Sequence, residues 1–353
     1  MVLVPSSAPE FQLAFAQETT FGTPNTTEAD FFSLHEPENA EIDLSGLSQD
    51  STPRMDGTNV PQNTDNFITQ AGGIVVQPFS AIATRNTLSP LLYGVMQDLL
   101  SEQAGTPFEK IWEWDDGTTR PDLSVHNTVD DAGIFFTVVA KNAFASEDQI
   151  LTSCIIPTLT ISSDPTVAGG RMMVSGNFMS GFSSLYDESG SQAIAAGTAP
   201  DQNYYHHCLM VTKTFGAAPL IVGSWDMTFN NKATRLGCDT VGDAENYMFG
   251  ANKYEATGNI RVLYEANTKG IITNFLTSAF DTQLVFAWGS GNTPVDTTGD
   301  LLFKFNVYPQ QPVKDFAAEE GTMVDIPVIC VSDGTNEMVE IEHADAVDEG
   351  WTA

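Results

Sequence analysis

Hydrophobic and polar residues alternate with a period of two along much of the chain. The clearest cases are residues 41–44, 225–229 and 301–305, where the large apolar side chains fall on one face of an extended segment. Helical spacing is restricted to residues 88–100 and 270–280, and side chains able to cap a helix stand close before each of them. The pattern predicts a mainly β fold with a few short helices, that is, a β-rich α+β protein.

The same succession of segments occurs twice, which indicates a duplicated unit. In each half a strand leads through a polar turn into a helix, and an apolar strand, a long alternating strand and a glycine-bearing strand then follow. The correspondence matches Ile74 with Ile260, Phe135 with Val285 and Gly170 with Gly321. Each unit is predicted to be a β-sandwich or half-barrel with a helix on its flank.

These boundaries predict five parts of the chain. An N-terminal arm (1–30) precedes the first unit (31–186), a small polar linker (187–203) leads to the second unit (204–333), and an acidic end (334–353) follows. The first unit contains a polar loop at residues 47–66, and loops of that length inside a compact domain are commonly functional. A duplicated subunit needs only three copies to build a ring that would take six single units.

The charge balance limits the possible partners. The chain has 46 Asp and Glu against 14 Lys and Arg, a formal net charge of −32, so tight binding to nucleic acid through phosphate neutralisation is not expected. Hydrophobic residues make up 42% of the chain, which is enough for a folded core. No export signal is recognised, and no apolar stretch approaches the roughly 20 residues that cross a bilayer, so we expect a soluble protein without membrane contact.

Cysteine and histidine patterns give no metal site. The four cysteines, Cys154, Cys208, Cys238 and Cys330, lack the paired spacing of zinc ligands and are predicted to be free thiols from a reducing cytoplasm. In His206-His207-Cys208, neighbouring residues of a strand would point to opposite faces. The carboxylates of Asp239, Asp243 and Glu245 lack the spacing of a known calcium loop.

The best enzyme candidate is the segment IWEWDDGTT at residues 111–119. It places Glu113, Asp115 and Asp116 beside Trp112 and Trp114, and sugar-cleaving sites use two carboxylates about 5–10 Å apart. The same alternation is also typical of a hairpin strand that enters its turn. Phosphate-loop, nucleophile-elbow and zinc-protease motifs are absent from the sequence. We therefore predict no catalytic residue, cofactor or metal, and keep a carbohydrate-binding or glycoside-cleaving β-sandwich as an alternative.

Three segments carry a resemblance to a known family. They are FQLAFAQETTFGTPNTTEADFFSL near the N-terminus, LTISSDPTVAGGRMMVSGNF at the end of the first unit, and VGSWDMTFNNKATR at the start of the second. Together they resemble the major tail tube proteins of long-tailed, siphovirus-type bacteriophages, here with the tube domain in tandem. The resemblance covers most of residues 10–332.

The resemblance implies a virion structural protein made in the host cytoplasm. Its subunits would close into rings whose sheets merge into one barrel, the rings would stack into a tube, and DNA would pass through the channel without specific binding during ejection. The duplication favours a trimer with pseudo-sixfold symmetry over a hexamer. Expected partners are further copies of the chain and the tail-tip, tape-measure and terminator proteins. Another virion ring or a capsid-decorating protein is the closest alternative.

Two groups of residues are the candidate functional positions. Acidic side chains in the bore would repel DNA and keep it from binding, although acidity could equally serve solubility alone. Alternation assigns Glu41, Asp43 and Asp226 to the polar face of candidate barrel strands, and these are the predicted channel-lining residues. Contacts between subunits or rings are assigned to the arm and to the polar loop; the residues are Phe11, Phe15, Phe21, Leu47, Arg54 and Met55.

Overall fold

A computed structural model describes the greater part of the chain. The described residues are 11–19, 23–27, 30–34, 76–97, 101–102, 107–115, 134–142, 147–180, 187–188, 204–238, 245–249, 254–277, 282–290, 297–315 and 322–345. They form twenty β-strands and two α-helices, and eighteen of the strands belong to one large antiparallel sheet that does not close on itself. The prediction of a mainly β fold with a few short helices is confirmed.

The first half contains nine strands and one helix. Their bounds are β1 Phe11–Gln17, β2 Phe32–Ser33, β3 Val76–Ile82, α1 Arg85–Met96, β4 Ser101–Glu102, β5 Phe108–Trp114, β6 Phe136–Asn142, β7 Glu147–Ser163, β8 Met173–Met179 and β9 Asp187–Glu188.

The second half contains eleven strands and one helix. Their bounds are β10 Thr212–Phe215, β11 Ala218–Pro219, β12 Val222–Asn230, β13 Ala233–Cys238, β14 Glu245–Phe249, β15 Glu255–Leu263, α2 Ala266–Thr277, β16 Thr282–Trp288, β17 Leu301–Pro309, β18 Val313–Asp315, β19 Met323–Cys330 and β20 Val339–Asp345.

Strand β7 takes part in two layers of the fold. Its residues 147–154 pair with β6, which in turn pairs with β1, and two of them also pair with β9. Residues 158–163 pair with β12 and lie beside β8 on the other side. The change of partners coincides with a register shift and with Ser153, whose φ of 51° is left-handed. Strand β7 therefore bends from one layer into the other at a β-bulge.

A buried carboxylate stabilises this bend. Glu18 accepts hydrogen bonds from the Ser153 amide at 2.8 Å, the Ser153 hydroxyl at 2.7 Å and the Thr137 hydroxyl at 2.8 Å. Thr137 in turn accepts a bond from the amide of Asn25 at 2.8 Å, which fixes its hydroxyl as a donor to Glu18. Burial raises the pKa of Glu18 to about 7, and the bonds from Ser153 and Thr137 act in the opposite direction.

In the second half, strand β17 changes partners along its length, as β7 does in the first half. Its residues 301–307 pair with β16, which pairs with β10, and residues 301–305 pair with β20 on the other side. Residues 307–309 pair with β19, and β18, at residues 313–315, pairs with the next part of β19. The long sheet, as we call the shared layer, therefore runs in the order β3, β8, β7, β12, β15, β19, and then β17 with β18.

Aromatic side chains fill the space between the layers. In the first half, the Phe15 ring lies 5.5 Å from the Phe136 ring and 5.4 Å from the Phe178 ring. In the second half, Trp225 stacks on Phe286 with ring centroids 4.7 Å apart. One cluster of buried side chains extends through both halves, so they share a core.

Helix α1 lies inside this core, with every residue from Thr87 to Met96 buried. Thr84 and Thr87 form a capping box at its start, so the helix begins before the predicted residue 88. It ends at Gln97, a left-handed cap with φ 60°. Helix α2 begins at Ala266, before the predicted residue 270, because Asn267 and Thr268, the expected capping residues, belong to the helix; residues 278–280 lie outside the described residues.

The two predicted ends of the chain need correction. Phe11–Gln17 is strand β1 of the first half, so this part of the predicted arm is built into the sheet. Val339–Asp345, assigned to the acidic end, is strand β20, which lies between β17 and β5. Its Val339 and Ile341 are fully buried, and this alternation of apolar with acidic residues is a half-buried strand pattern.

Candidate functional site: the exposed face and edges of the long sheet

One face of the long sheet packs on the core, and the opposite face is partly open to solvent. In β12 the core face carries Trp225, Met227 and Phe229, whereas Asp226 and Thr228 lie on the open face. The same alternation continues in β3, β8, β15 and β19. The open face is therefore a mainly polar surface across strands from both halves of the chain, interrupted by the exposed side chains of Val76 and Ile329.

Hydroxyl side chains form a row across five neighbouring strands of this face. The register brings Ser80 opposite Ser175, Ser175 opposite Thr160, Thr160 opposite Thr228, and Thr228 opposite Thr257. The Thr160 and Thr228 hydroxyls are hydrogen-bonded at 2.8 Å. We call these five residues the hydroxyl row. Sequence reasoning missed it, because the row depends on the register between strands far apart in the sequence.

Charged side chains are sparse on this open face. Among the described positions of β3, β8, β12, β15, β19 and the second part of β7, the open face carries Asp226, Glu255, Asp325 and Arg261. Arg261 pairs with Asp325 across neighbouring strands at 3.3 Å, and Glu255 contacts Lys232. The described surface is thus largely neutral and only slightly acidic.

The predicted channel-lining residues have different outcomes. Asp226 lies on the open face, as the alternation predicted, and faces Asn259 of β15 in the register. Burial raises the pKa of Asp226, and a hydrogen bond from the Asn259 backbone partly offsets this effect. Glu41 and Asp43 lie outside the described residues. Whether any of the three lines a channel stays a prediction.

Only two of the predicted contact residues, Phe11 and Phe15, belong to the described part of the chain. Phe15 is fully buried and packs on aromatic rings of its own chain, so its side chain is occupied within the subunit. Phe11 belongs to strand β1, but nothing is described of its side chain. The other candidates lie outside the described residues; they are Phe21, Leu47, Arg54 and Met55.

The two halves are joined by two strand pairings, β5 with β20 and, within the long sheet, β7 with β12. Residues 158–163 of the first half pair with residues 230–225 of the second, so this joint continues the sheet from one half to the other. Asn231 closes one end of the joint: its side-chain amide donates to the carbonyl of Val95 at 3.2 Å and to that of Ile156 at 3.0 Å. Its side-chain oxygen accepts a bond from the Ala233 amide at 3.0 Å. The end of α1, β7 and β12 are held together by one buried side chain.

The long sheet has two edges within the described part of the chain. Strand β3 forms one, because its only described ladder partner is β8. The second edge is formed by residues 309–315 of β17 and β18, whose described ladder partner is β19. Such edges can accept a further strand, and proteins normally cover or complete them.

The Trp112 to Asp116 segment does not present aromatic rings to a ligand. Trp112 and Trp114 are fully buried in the core, and the Trp114 ring stacks on Tyr254 with centroids 4.5 Å apart. Glu113 lies on the opposite face of β5, across from Glu340, and burial followed by repulsion from Glu337 and Asp115 raises its pKa. The Glu113 carboxylate is thus separated from the aromatic residues that a sugar would stack on, and Asp116 lies outside the described residues.

The histidine pair makes separate contacts. His206 Nε2 lies 2.9 Å from the Gly169 carbonyl, whereas His207 Nδ1 lies 3.0 Å from the Ser163 hydroxyl. Cys208 is an exposed free thiol. In the described ranges, no three side chains of the metal-binding types come together.

A buried Ser–His–Tyr cluster was not foreseen from the sequence. His343 of β20 contacts the Ser89 hydroxyl through Nδ1 and the Tyr205 hydroxyl through Nε2, both at 2.6 Å. All three side chains are buried, so no solvent-borne substrate can reach Ser89. Burial, followed by the positive charges of Lys110 and Arg85, lowers the pKa of His343 to about 3. The cluster connects α1, β20 and the start of the second half.

Neither helix in the described part of the chain is long and apolar enough to cross a membrane. A scan of the sequence against protein-family models gives no match, and a search of curated proteins gives none either.

Proposed function

We propose that this chain is the subunit of a phage-type tail tube: a structural protein of the virion that joins copies of itself into rings and has no catalytic role. The resemblance of three sequence segments to tail tube proteins suggests this function. The pairing of β7 with β12 carries the argument, because it joins two units of similar construction edge to edge within one chain.

The order of strand pairing supports a duplicated unit. In the first half the order is β1, β6, β7, β8, β3, and in the second it is β10, β16, β17, β19, β15. Strand β3 ends at Ile82 shortly before α1, as β15 ends at Leu263 shortly before α2. Aligning the ends of these two strands matches Phe79, and not Ile74, with Ile260. The residue match made from the sequence is therefore shifted along β3, although the order of the elements is the same in both halves.

The edges of the long sheet supply the means of closing a ring. In the repeat, residues 309–315 occupy the place of the β7 segment that receives β12, and they have no second ladder partner among the described residues. The segment corresponding to β12 is the predicted strand at residues 41–44. We infer that this segment of one copy pairs with residues 309–315 of the next, as β12 pairs with β7. Three copies would then give six similar joints.

The open face of the long sheet would line the channel. The hydroxyl row and neighbouring Asn side chains are neutral and partly exposed, and only one of the four charged residues on the described face is a cation. A polyanion therefore meets few groups that could hold it by charge. Neutral polar groups, with a small excess of carboxylates, are a suitable wall for DNA that must slide without binding.

The proposal is tested by disrupting the segment that would complete the edge. Asp43→Pro removes one backbone amide from the predicted strand at residues 41–44 and keeps its apolar side chains. We expect closed rings and hollow tubes from the unchanged protein in electron micrographs, and folded monomers from this variant. Asp43→Ala, which removes the same carboxylate but keeps the backbone amide, is the matched control and should form rings. Monomers of the unchanged protein under all assembly conditions would contradict the proposal.

A further inference from the structure

Exposed apolar residues lie on neighbouring segments where the two halves join. Six large hydrophobic residues are exposed in the described part of the chain, and four of them lie on three such segments: Val167 (50% exposed), Leu209 (66%), Val211 (56%) and Ile221 (54%). We call these four residues the end patch. Its residues come from the turn after β7, from the segment before β10 and from the residue before β12.

Hydrogen bonds hold the three segments of the end patch together. His206 Nε2 lies 2.9 Å from the Gly169 carbonyl, which connects the segment before β10 to the turn after β7. His207 Nε2 lies 3.1 Å from the Val222 carbonyl, which connects the same segment to the start of β12. The patch is therefore a built surface of the folded chain.

The end patch and the β13–β14 hairpin lie at opposite ends of β12. This strand starts at Val222, beside the patch, and ends at Asn230, where the chain passes into the hairpin. At about 3.3 Å per residue, a strand of this length separates the two features by roughly 30 Å. Copies stacked in the same orientation would bring the hairpin end of one against the end patch of the next.

Charge favours the same arrangement. Lys213 and Arg171 lie beside the end patch, with Asp164 as an acidic neighbour, although the chain as a whole has few cations. Residues 239–245, which follow β13 in the sequence and include the first residue of β14, contain three carboxylates and no cation. The two ends are thus complementary, and burying the apolar side chains would offset the repulsion between chains that each carry a charge of −32.

We propose that the end patch receives the acidic β13–β14 end of a second copy of this chain. This inference rests on the proposed tube function and adds the surface through which one ring docks on the next. The contact joins two different surfaces of the same chain, so it repeats without closing and extends a tube.

Charge substitutions in the end patch test this contact. Leu209→Glu with Val211→Glu places two carboxylates where apolar burial is expected, and both side chains are exposed in the subunit, so folding should be unchanged. We expect rings to form while the amount of tube that sediments falls at least tenfold. Thr273→Glu, an exposed position on α2, is the control and should assemble fully. Tubes of normal length from the double variant would overturn the inference.

The exposed thiol of Cys208, next to Leu209, provides an independent measurement. Maleimide labelling, read by mass spectrometry of the peptide that contains Cys208, should be fast in isolated rings and at least tenfold slower in tubes. Equal rates in rings and tubes would overturn the inference. If rings form but never stack, the end patch is also refuted while ring closure stands, whereas a protein that forms no rings refutes the proposed function itself.

Discussion

Asn231 provides the sharpest test of how the two halves are joined. Its side chain is fully buried and makes three hydrogen bonds, to the carbonyls of Val95 and Ile156 and from the amide of Ala233. Val95 is in the last turn of α1, where carbonyls lack a partner within the helix. Asn231 therefore satisfies backbone groups that the strand and helix ladders leave open.

The cost of losing this side chain follows from the groups it leaves behind. Asn231→Ala would remove the hydrogen-bond partner of two buried carbonyls and one buried amide, and each unsatisfied group costs about 1–3 kcal/mol. Allowing for water that enters the space, we expect the free energy of unfolding to fall by about 3–5 kcal/mol. That is a large part of the roughly 5–15 kcal/mol that stabilises most proteins.

Equilibrium unfolding in urea, followed by tryptophan fluorescence, measures this loss. Asn230→Ala is the matched control, because Asn230 is the adjacent residue but only half-buried, and its side chain accepts one local bond from the Lys232 amide. We expect that control to lose less than about 1 kcal/mol. Equal losses for the two variants would refute the assignment of Asn231 as the side chain that holds α1, β7 and β12 together.

Three further predictions concern buried groups and backbone contacts. Because the pKa of Glu18 is raised from 4.5 to about 7 in the folded state, the stability that its proton contributes is fully present below pH 4.5, falls as pH rises toward 7 and is absent above that; Glu18→Gln should remove this fall in unfolding curves recorded between pH 4.5 and 7. Because the pKa of His343 is lowered to about 3, stability should fall as pH drops below about 6.5, by up to roughly 1.4 kcal/mol per pH unit, and His343→Gln should reduce that slope. A Cβ on Gly258 would lie 2.2 Å from the Asp226 carbonyl oxygen, so Gly258→Ala should lower Tm, with a loss of about 1–3 kcal/mol, whereas Gly270→Ala, in open space on α2, should be neutral or stabilising. Flat pH profiles for either titrating residue, or equal Tm values for the two glycine variants, would contradict these expectations.

Local patterns were sufficient to predict much of the fold. Alternation placed Trp225, Met227 and Phe229 on the core face of β12 and Asp226 on the open face, and the structure confirms this. These features depend on neighbouring residues and on the period of two, which a sequence displays directly.

Other features depend on contacts that the sequence does not display. The sequence predicts an acidic end where strand β20 lies, because Glu340 and Glu342 obscure the alternation with the buried Val339 and Ile341. In the structure, Lys304 of β17 contacts both carboxylates. The hydroxyl row arises from register between strands, and register is set by tertiary packing.

The central claim is that three copies of a duplicated unit close into a ring through the edges of the long sheet. Averaged electron-microscope projections of single rings, viewed down the axis, test this claim most directly. The account predicts threefold symmetry with six similar lobes around an open channel. Six copies of the chain in one ring, or a ring whose two lobes per chain are unlike, would contradict it.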